Sequence, residues 1–304
     1  MNRYRYIALA VLPVVSGIGL FYSLLPKEPV YEGRPISAWI GQLTGGVGSS
    51  AGAVSSHTFP KLVEQNPGEE IVPYLRQTLH RGTSLRDRAY GNIYFKLPAL
   101  LQRKLPTPNP ARDAELRYRA GLILYYMGPQ AKKALPDLVA SLKDPDPEVR
   151  RISATVLGSL GADAKSAAPD LAAASRDPSP DVRRAALKAL AGAQGDPAAT
   201  VPLLAQSLKD PEDGVRTDAA QALRDLGPKA KTAVRELTEA LADPNEDVFR
   251  FAALALGKIG PDAKEAVPAL VQALRDNRPY SETTIRWALG QIDPQGLTQA
   301  TADQ

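Results

Sequence analysis

The sequence predicts an all-α protein: a right-handed α-solenoid of about seven helix pairs, standing behind one apolar N-terminal helix. Three observations carry that prediction. Asp144, Asp177, Asp210, Asp243 and Asp276 recur every 33 residues, in step with Val149, Val182, Val215 and Val248 and with Leu124, Leu157, Leu190, Leu223, Leu256 and Leu289. Within each period the apolar residues fall at the i, i+3, i+4, i+7 spacing of two short helices. Ahead of the repeats, residues 7–25 run nineteen positions without a charge.

Residues 1–26 are predicted to be a signal anchor, a transmembrane helix. Nineteen residues at about 1.5 Å each make a helix roughly 28 Å long, close to the ~30 Å hydrocarbon core of a bilayer. Pro13 interrupts it in a way a membrane helix tolerates. Arg3 and Arg5 flank its amino side without an acid, which favours that end in the cytoplasm and the rest of the chain outside it. The run closes on Phe21-Tyr22-Ser23-Leu24-Leu25-Pro26, with no small-x-small cleavage site, so an anchor is favoured over a cleaved signal peptide. The expected location is a single-pass inner-membrane protein with its solenoid in the periplasm. The alternative is secretion after cleavage.

Residues 27–71 read as a linker. Ile36, Trp39, Ile40 and Leu43 give residues 35–43 the spacing of a short lead-in helix, and residues 45–56 are a loop rich in Gly and Ser. The solenoid is assigned to residues 72–295 and a tail to 296–304.

Composition removes several classes of function. The 304 residues include no cysteine, which excludes disulfides, thiolate metal sites and a cysteine nucleophile. His57 and His80 are the two histidines, too few for a three-histidine metal site. No Gly-rich phosphate loop, His-x-x-x-His or Gly-x-Ser-x-Gly pattern is present. No cofactor, metal or catalytic residue is therefore assigned, and no enzymatic activity is expected.

One unit shows how the helices are punctuated. Leu135, Leu138, Val139 and Leu142 form a first stripe. Pro145 and Pro147 then break it, with Asp146 placed to cap the next helix. Val149, Ile152, Val156, Leu157 and Leu160 form the second stripe, and Gly161 stops it. So short a pair cannot bury its apolar face alone, and stacking on its neighbours supplies the missing surface. The string Leu142, Asp144, Pro145, Val149, Arg150, Leu157, Gly158, with Ser153 in an alanine place, resembles the HEAT repeat. Val248, Ala252, Leu256 and Gly257 carry it again, with the arginine displaced to Arg250. The resemblance covers residues 136–292. It implies that the turn aspartates and the arginines six residues later form a structural ladder between units: Asp144 with Arg150, Asp177 with Arg183, Asp210 with Arg216. Phe249 and Glu282 take the arginine place in the last two units, so the ladder is expected to weaken toward the carboxyl end.

Backward, the phase continues less regularly. Leu85-Arg86-Asp87-Arg88-Ala89 repeats the pattern of Leu116-Arg117-Tyr118-Arg119-Ala120 at a distance of 31, and residues 72–75 open the first of the seven units. The unit at 168–200 departs most from the repeat: Ser175 replaces a leucine, Ala193 replaces a larger residue, and Gln194 replaces the stopping glycine. That unit is expected to be the weakest.

Charge is uneven. Residues 71–133 hold twelve basic and three acidic side chains, together with seven aromatics. Arg86, Arg88, Tyr90, Arg117, Tyr118 and Arg119 are the candidate partner-binding residues in this stretch, although a solvated face over amphipathic tyrosines accounts for the same pattern. The favoured function is a membrane-anchored, non-enzymatic scaffold that holds a protein or peptide on the concave face. One alternative is binding of an anionic polymer or lipid headgroup through the basic repeats. A second is chromophore attachment in the manner of a bilin lyase, with which the chain shares fold-level resemblance. Nucleic acid is not expected after export.

Overall fold

The computed structural model describes residues 69–193, 195–276 and 282–294, with residues 30, 31, 33–35, 38 and 40 ahead of them. The expected anchor at 1–26, most of the 27–71 linker and the tail at 296–304 lie outside the described residues. Among the described residues no helix is long and apolar enough to cross a membrane. The chain divides into two compact units, residues 1–137 and 138–304.

The first unit opens with a two-residue hairpin that the sequence reading did not anticipate. β1 (Val30–Tyr31) pairs antiparallel with β2 (Arg34–Pro35), Val30 opposite Pro35 and Tyr31 opposite Arg34. Gly33 makes the turn at φ 73°. Position 35, expected to begin a helix, is thus in a strand. Ala38 and Ile40 are helical, and Ile40 is fully buried.

Four helices follow: α1 (Val72–Leu79), α2 (Leu85–Tyr94), α3 (Ala99–Gln102) and α4 (Pro110–Met127). Asn109 caps α4 by accepting from the Arg112 amide at 3.0 Å. Here the structure corrects the count of repeats. α1 packs on α4, and both meet the 3-10 turn at Gly128–Ala134, as first and second helices do in the rest of the chain. α2 and α3 therefore lie in an insertion between the two helices of one pair. Residues 72–133 hold one helix pair where the 31-residue spacing implied two. The pattern at Leu85–Ala89 misled because five residues of capped, basic amphipathic helix look alike in any setting.

α5 (Leu135–Ser141) lies at the division between the units. The second unit then runs α6 (Pro147–Ser159), α7 (Ala168–Ala174), α8 (Pro180–Gly192), α9 (Pro197–Ser207), α10 (Asp213–Leu226), α11 (Val234–Ala240), α12 (Glu246–Ile259), α13 (Val267–Arg275) and α14 (Glu282–Ile292). Each first helix packs on the second helix after it: α7 on α8, α9 on α10, α11 on α12, α13 on α14. The second helices stack in turn, α6 on α8, α8 on α10, α10 on α12 and α12 on α14. The recurring valines and leucines fill the core between them, Val182, Val215, Val248, Leu157, Leu223, Leu256 and Leu289 all fully buried.

A 3-10 turn joins most units: Gly161–Ala167, Gly227–Ala233 and Gly260–Ala266. Its glycine takes a positive φ of 54–76°, a conformation open to glycine without steric cost. Two alanines in each, such as Ala230 and Ala233, are fully buried. In the unit that departs most from the repeat, residues 197–200, in phase with the second half of this turn, are α-helical. Asp196 caps α9 directly through the Ala198 amide at 3.0 Å, so α9 starts at Pro197, four residues before its phase.

Candidate functional site

The recurring Asp and Arg residues form one continuous structure. Arg150 donates from Nε and Nη2 to both carboxylate oxygens of Asp177, at 2.7 and 2.8 Å. Its Nη1 donates to the carbonyls of Asp144 (2.9 Å) and Pro145 (3.2 Å). Arg183 repeats this with Asp210 and with the carbonyls of Asp177 and Pro178, and Arg216 with Asp243 and the carbonyls of Asp210 and Pro211. Each arginine thus holds the backbone of its own turn and the side chain of the next. The aspartates spend a further acceptor on the turn, Asp177 Oδ1 taking the Ser179 amide at 2.9 Å and Asp144 Oδ1 the Asp146 amide at 2.9 Å. Burial pushes the Asp177 carboxyl up, but the Arg150 fork, the Ser179 amide and the charges of Arg150 and Arg183 outweigh it and hold it below the usual carboxylate range. The hydrogen bond to Asp177 raises Arg150 further above its ordinary value. At the carboxyl end Phe249 is buried in the core, and Asp276 accepts from Gln272 of its own helix at 2.8 Å. All these groups are committed to holding the turns together.

The exposed face of the second helices is different. Thr155, Lys188, Gln221, Leu254 and Trp287 occupy one position of the 33-residue register, and each is partly or well exposed. The core positions keep one residue type from unit to unit, whereas this column changes from polar to apolar along the chain. Trp287 lies over Gly257, where an added Cβ would collide with the indole. Beside the column, the Phe251 ring is flanked by the guanidinium groups of Arg224 and Arg250, each 4.9 Å from its centroid. Between α8 and α10 the face opens into a cleft of about 310 Å³ lined by Lys188, Ala191, Gly192, Asp218, Gln221, Ala222 and Asp225. Asp218, 5% exposed, closes its floor and is held by Arg184 Nε at 2.8 Å and Lys188 Nζ at 3.2 Å. The other arginines here have acids of their own: Arg151 with Glu148, Arg224 with Asp225 and Arg250 with Asp247. The face is polar, nearly charge-balanced and interrupted by two aromatic rings.

The basic stretch does not present its candidate residues together. Arg117 is 3% exposed and donates from Nη1 to the Arg81 carbonyl at 2.7 Å. That bond is equivalent to the one Arg150 makes to Asp144, so Arg117 belongs to the structural ladder and is corrected out of the exposed set. Arg81 stands where the later units have an aspartate and turns to Asp113, 2.7 Å away. Tyr90 is likewise corrected: it is 2% exposed, and its hydroxyl donates to the Pro106 carbonyl. Burial, with the neighbouring Tyr94, raises that phenol above its ordinary value. Tyr118 and Arg119 are half-buried, and Arg119 pairs with Glu115 one turn away. Arg86 is half-buried, and no acceptor among the described residues reaches its shielded Nε and Nη2. Arg88 alone of the six is exposed. Among the described residues no three His, Asp or Glu side chains group as metal ligands.

A sequence profile of HEAT repeats matches residues 98–174, 168–256 and 234–303. Among solved structures, an engineered protein is 19% identical over 72% of this chain and 98% of its own, with a TM-score of 0.53. A designed armadillo repeat protein in complex with the peptide (KR)4 is 20% identical over 60% of this chain and 96% of its own, with a TM-score of 0.51. The complex of CpcE and CpcF of phycocyanin lyase from Nostoc sp. PCC7120 is 24% identical over 51% of this chain and 98% of the matched one, at a TM-score of 0.41. No curated protein matches the chain. The first two likenesses show the fold.

Proposed function

The chain belongs to the HEAT-repeat family, and from that premise we propose that it is a non-enzymatic scaffold binding a protein or peptide along the exposed face of its second helices. The observation that carries this is the column Thr155, Lys188, Gln221, Leu254 and Trp287. Neighbouring helices pack about 8–10 Å apart, and an extended chain advances about 3.3 Å per residue. A peptide crossing the stacked helices therefore meets a new column residue about every third position. Lys188 and Gln221 stand over the cleft whose floor is Asp218, offering donors and acceptors to backbone groups; Leu254, Phe251 and Trp287 offer apolar contact further along. Because each arginine of the face already has its own acid, recognition there rests on shape, hydrogen bonds and the aromatic rings more than on net charge. The designed armadillo repeat protein of similar fold, whose structure is a complex with the peptide (KR)4, supports a peptide occupant for a stacked-helix face of this kind.

The scaffold is further proposed to sit at a membrane through residues 1–26, with the repeats on the outer side, on the strength of Arg3, Arg5 and the uncharged run at 7–25. The binding test uses a photo-crosslinking amino acid placed in the full chain, in its native membranes. Replacement at Gln221 and at Leu254, one period apart, is expected to trap the same partner, while replacement at Gln206 or Glu239 on first helices traps nothing. Adducts from the first-helix positions alone would overturn the assignment of the face. A reporter active only after export, fused to Gln304, is expected to be active; an inactive fusion beside a working control removes the outer-face placement and leaves the binding face untouched.

A further inference from the structure

The insertion between α1 and α4 has a surface of its own. In the second unit five residues, 241–245, join first helix to second; here thirty residues, 80–109, do so. The segment is closed by its own bonds. Tyr90 donates to the Pro106 carbonyl, Tyr94 Oη to the Gln102 carbonyl at 3.1 Å, and Gln102 Nε2 to the carbonyls of Leu97 at 2.9 Å and Tyr94 at 3.2 Å. Its tyrosines are thereby used inside it, while five of its other large apolar side chains are exposed. Leu85 is 85% exposed, Leu100 76%, Phe95 69%, Leu101 46% and Ile93 37%. Only four other large hydrophobic residues are exposed among the described residues, so this segment concentrates what the other described residues mostly bury.

Cations accompany them. Arg88, Lys96, Arg103 and Lys104 are all exposed, and no described acid pairs with them. The segment's one acid, Asp87, is already taken by the Gly82 amide at 3.0 Å and the Ser84 hydroxyl at 2.7 Å. Phe95, Lys96, Leu100, Leu101, Arg103 and Lys104 fall within ten consecutive residues. Exposures of 69–85% describe side chains that protrude, not walls of a groove. A peptide ligand needs a groove to be surrounded; a bilayer receives protruding side chains directly, apolar ends among the acyl chains and cations at the phosphates.

We infer that residues 85–104 form a membrane-contacting tip, inserting Leu85, Phe95, Leu100 and Leu101 into the interface of an anionic leaflet while Arg88, Lys96, Arg103 and Lys104 bind lipid phosphate. The tip uses the first unit alone. It goes beyond peptide binding by the second-helix face and does not depend on whether residues 1–26 span a bilayer.

The test places a fluorescent reporter in the full chain by Leu100→Trp and subtracts the parent protein's own signal from Trp39 and Trp287. Vesicles of phosphatidylcholine, with and without phosphatidylglycerol, carry bromine on their acyl chains as a contact quencher. Quenching at position 100 is expected in the anionic vesicles. The triple variant Lys96→Glu, Arg103→Glu, Lys104→Glu, in the reporter background, is expected to weaken it at least about 30-fold in the lipid concentration required. Circular dichroism of both chains should be unchanged, which separates lost contact from lost fold. A reporter left unquenched while the chain itself floats with the vesicles overturns the tip. So does quenching that is equal with and without phosphatidylglycerol and indifferent to the triple variant, and so does capture of a soluble acidic protein with no quenching.

Discussion

At Arg183 a single guanidinium uses both of its edges. Nη1 closes the turn of its own repeat through the Asp177 and Pro178 carbonyls, and Nε with Nη2 grips the Asp210 carboxylate of the next. A lysine has one point of charge and cannot do both. The carboxylate end of such a rung has a pH signature. Asp177 is held below its ordinary range in the folded chain, chiefly through Arg150 working against burial. A depressed carboxylate contributes stability that is complete above its unfolded value, about 3.9, and is lost as pH falls through the folded value. Asp177→Asn is therefore expected to cost about 2–3 kcal/mol at pH 7 and progressively less below about pH 4. Urea denaturation of both proteins at pH 7 and pH 3 measures it, and a deficit as large at pH 3 would mean that Asp177 acts by packing alone.

Among the helices, close approach matters more than the size of individual core residues. The unit at 168–200 is expected from its sequence to be the weak one, because Ser175 and Ala193 are small. In the structure both are buried, and Ser175 satisfies its hydroxyl on the Ala172 carbonyl at 2.8 Å. α6 and α8 also approach closely at Gly158, where a built Cβ would stand 3.0 Å from the Ala189 Cα and 3.2 Å from its Cβ. The connection departs from the repeat as well: residues 197–200 are α-helical where the other units have a 3-10 turn, and Asp196 caps α9. Gly158→Val is accordingly expected to force α6 and α8 apart and cost about 1–3 kcal/mol. The same change at Gly91, whose Cβ would meet nothing within 4 Å, should cost less than half as much. Thermal denaturation of the two variants decides it, and equal costs would show that α6 and α8 have room to spare.

Over the whole molecule the two functions proposed fall on different units. Residues 1–137 carry a net charge of +8 and residues 138–304 a net charge of −4. The positive excess gathers where cations lack described partners, in the insertion, while the arginines of the second-helix face are paired. The insertion should be separable from the fold, because the bonds of its tyrosines and of Gln102 given above are internal, the Gly82–Asp87 and Thr83–His80 bonds lie at its edge, and the Arg81–Asp113 and Arg117–Arg81 contacts lie outside residues 83–107. Deleting residues 83–107 leaves five residues between α1 and α4, the length that joins α11 to α12. The shortened chain is expected to melt within about 4 °C of the parent, to keep crosslinking through Gln221, and to lose lipid contact by the first unit. A chain that no longer folds would show that the insertion supports α1 and α4 directly.

The 33-residue period, the helix pairs and the residue types of the ladder were legible in the sequence because each depends on spacing along one chain. A helix buries positions three and four apart, a proline or glycine stops it wherever it occurs, and a repeat shows itself by recurring. Pairing between distant segments is a different matter. Only the tertiary structure decided that α1 meets α4 across thirty residues, and that placed Leu85–Ala89 in an insertion and removed one repeat from the count. It also decided which oxygen each arginine of the ladder takes, since the carboxylate 27 residues ahead and the carbonyl six residues behind are equally allowed by sequence. Arg117 and Tyr90 were indistinguishable from Arg88 in composition, and burial separated them. The column from Thr155 to Trp287 was present in the register all along, but exposure could be assigned to it only once the stacked helices had covered their other sides.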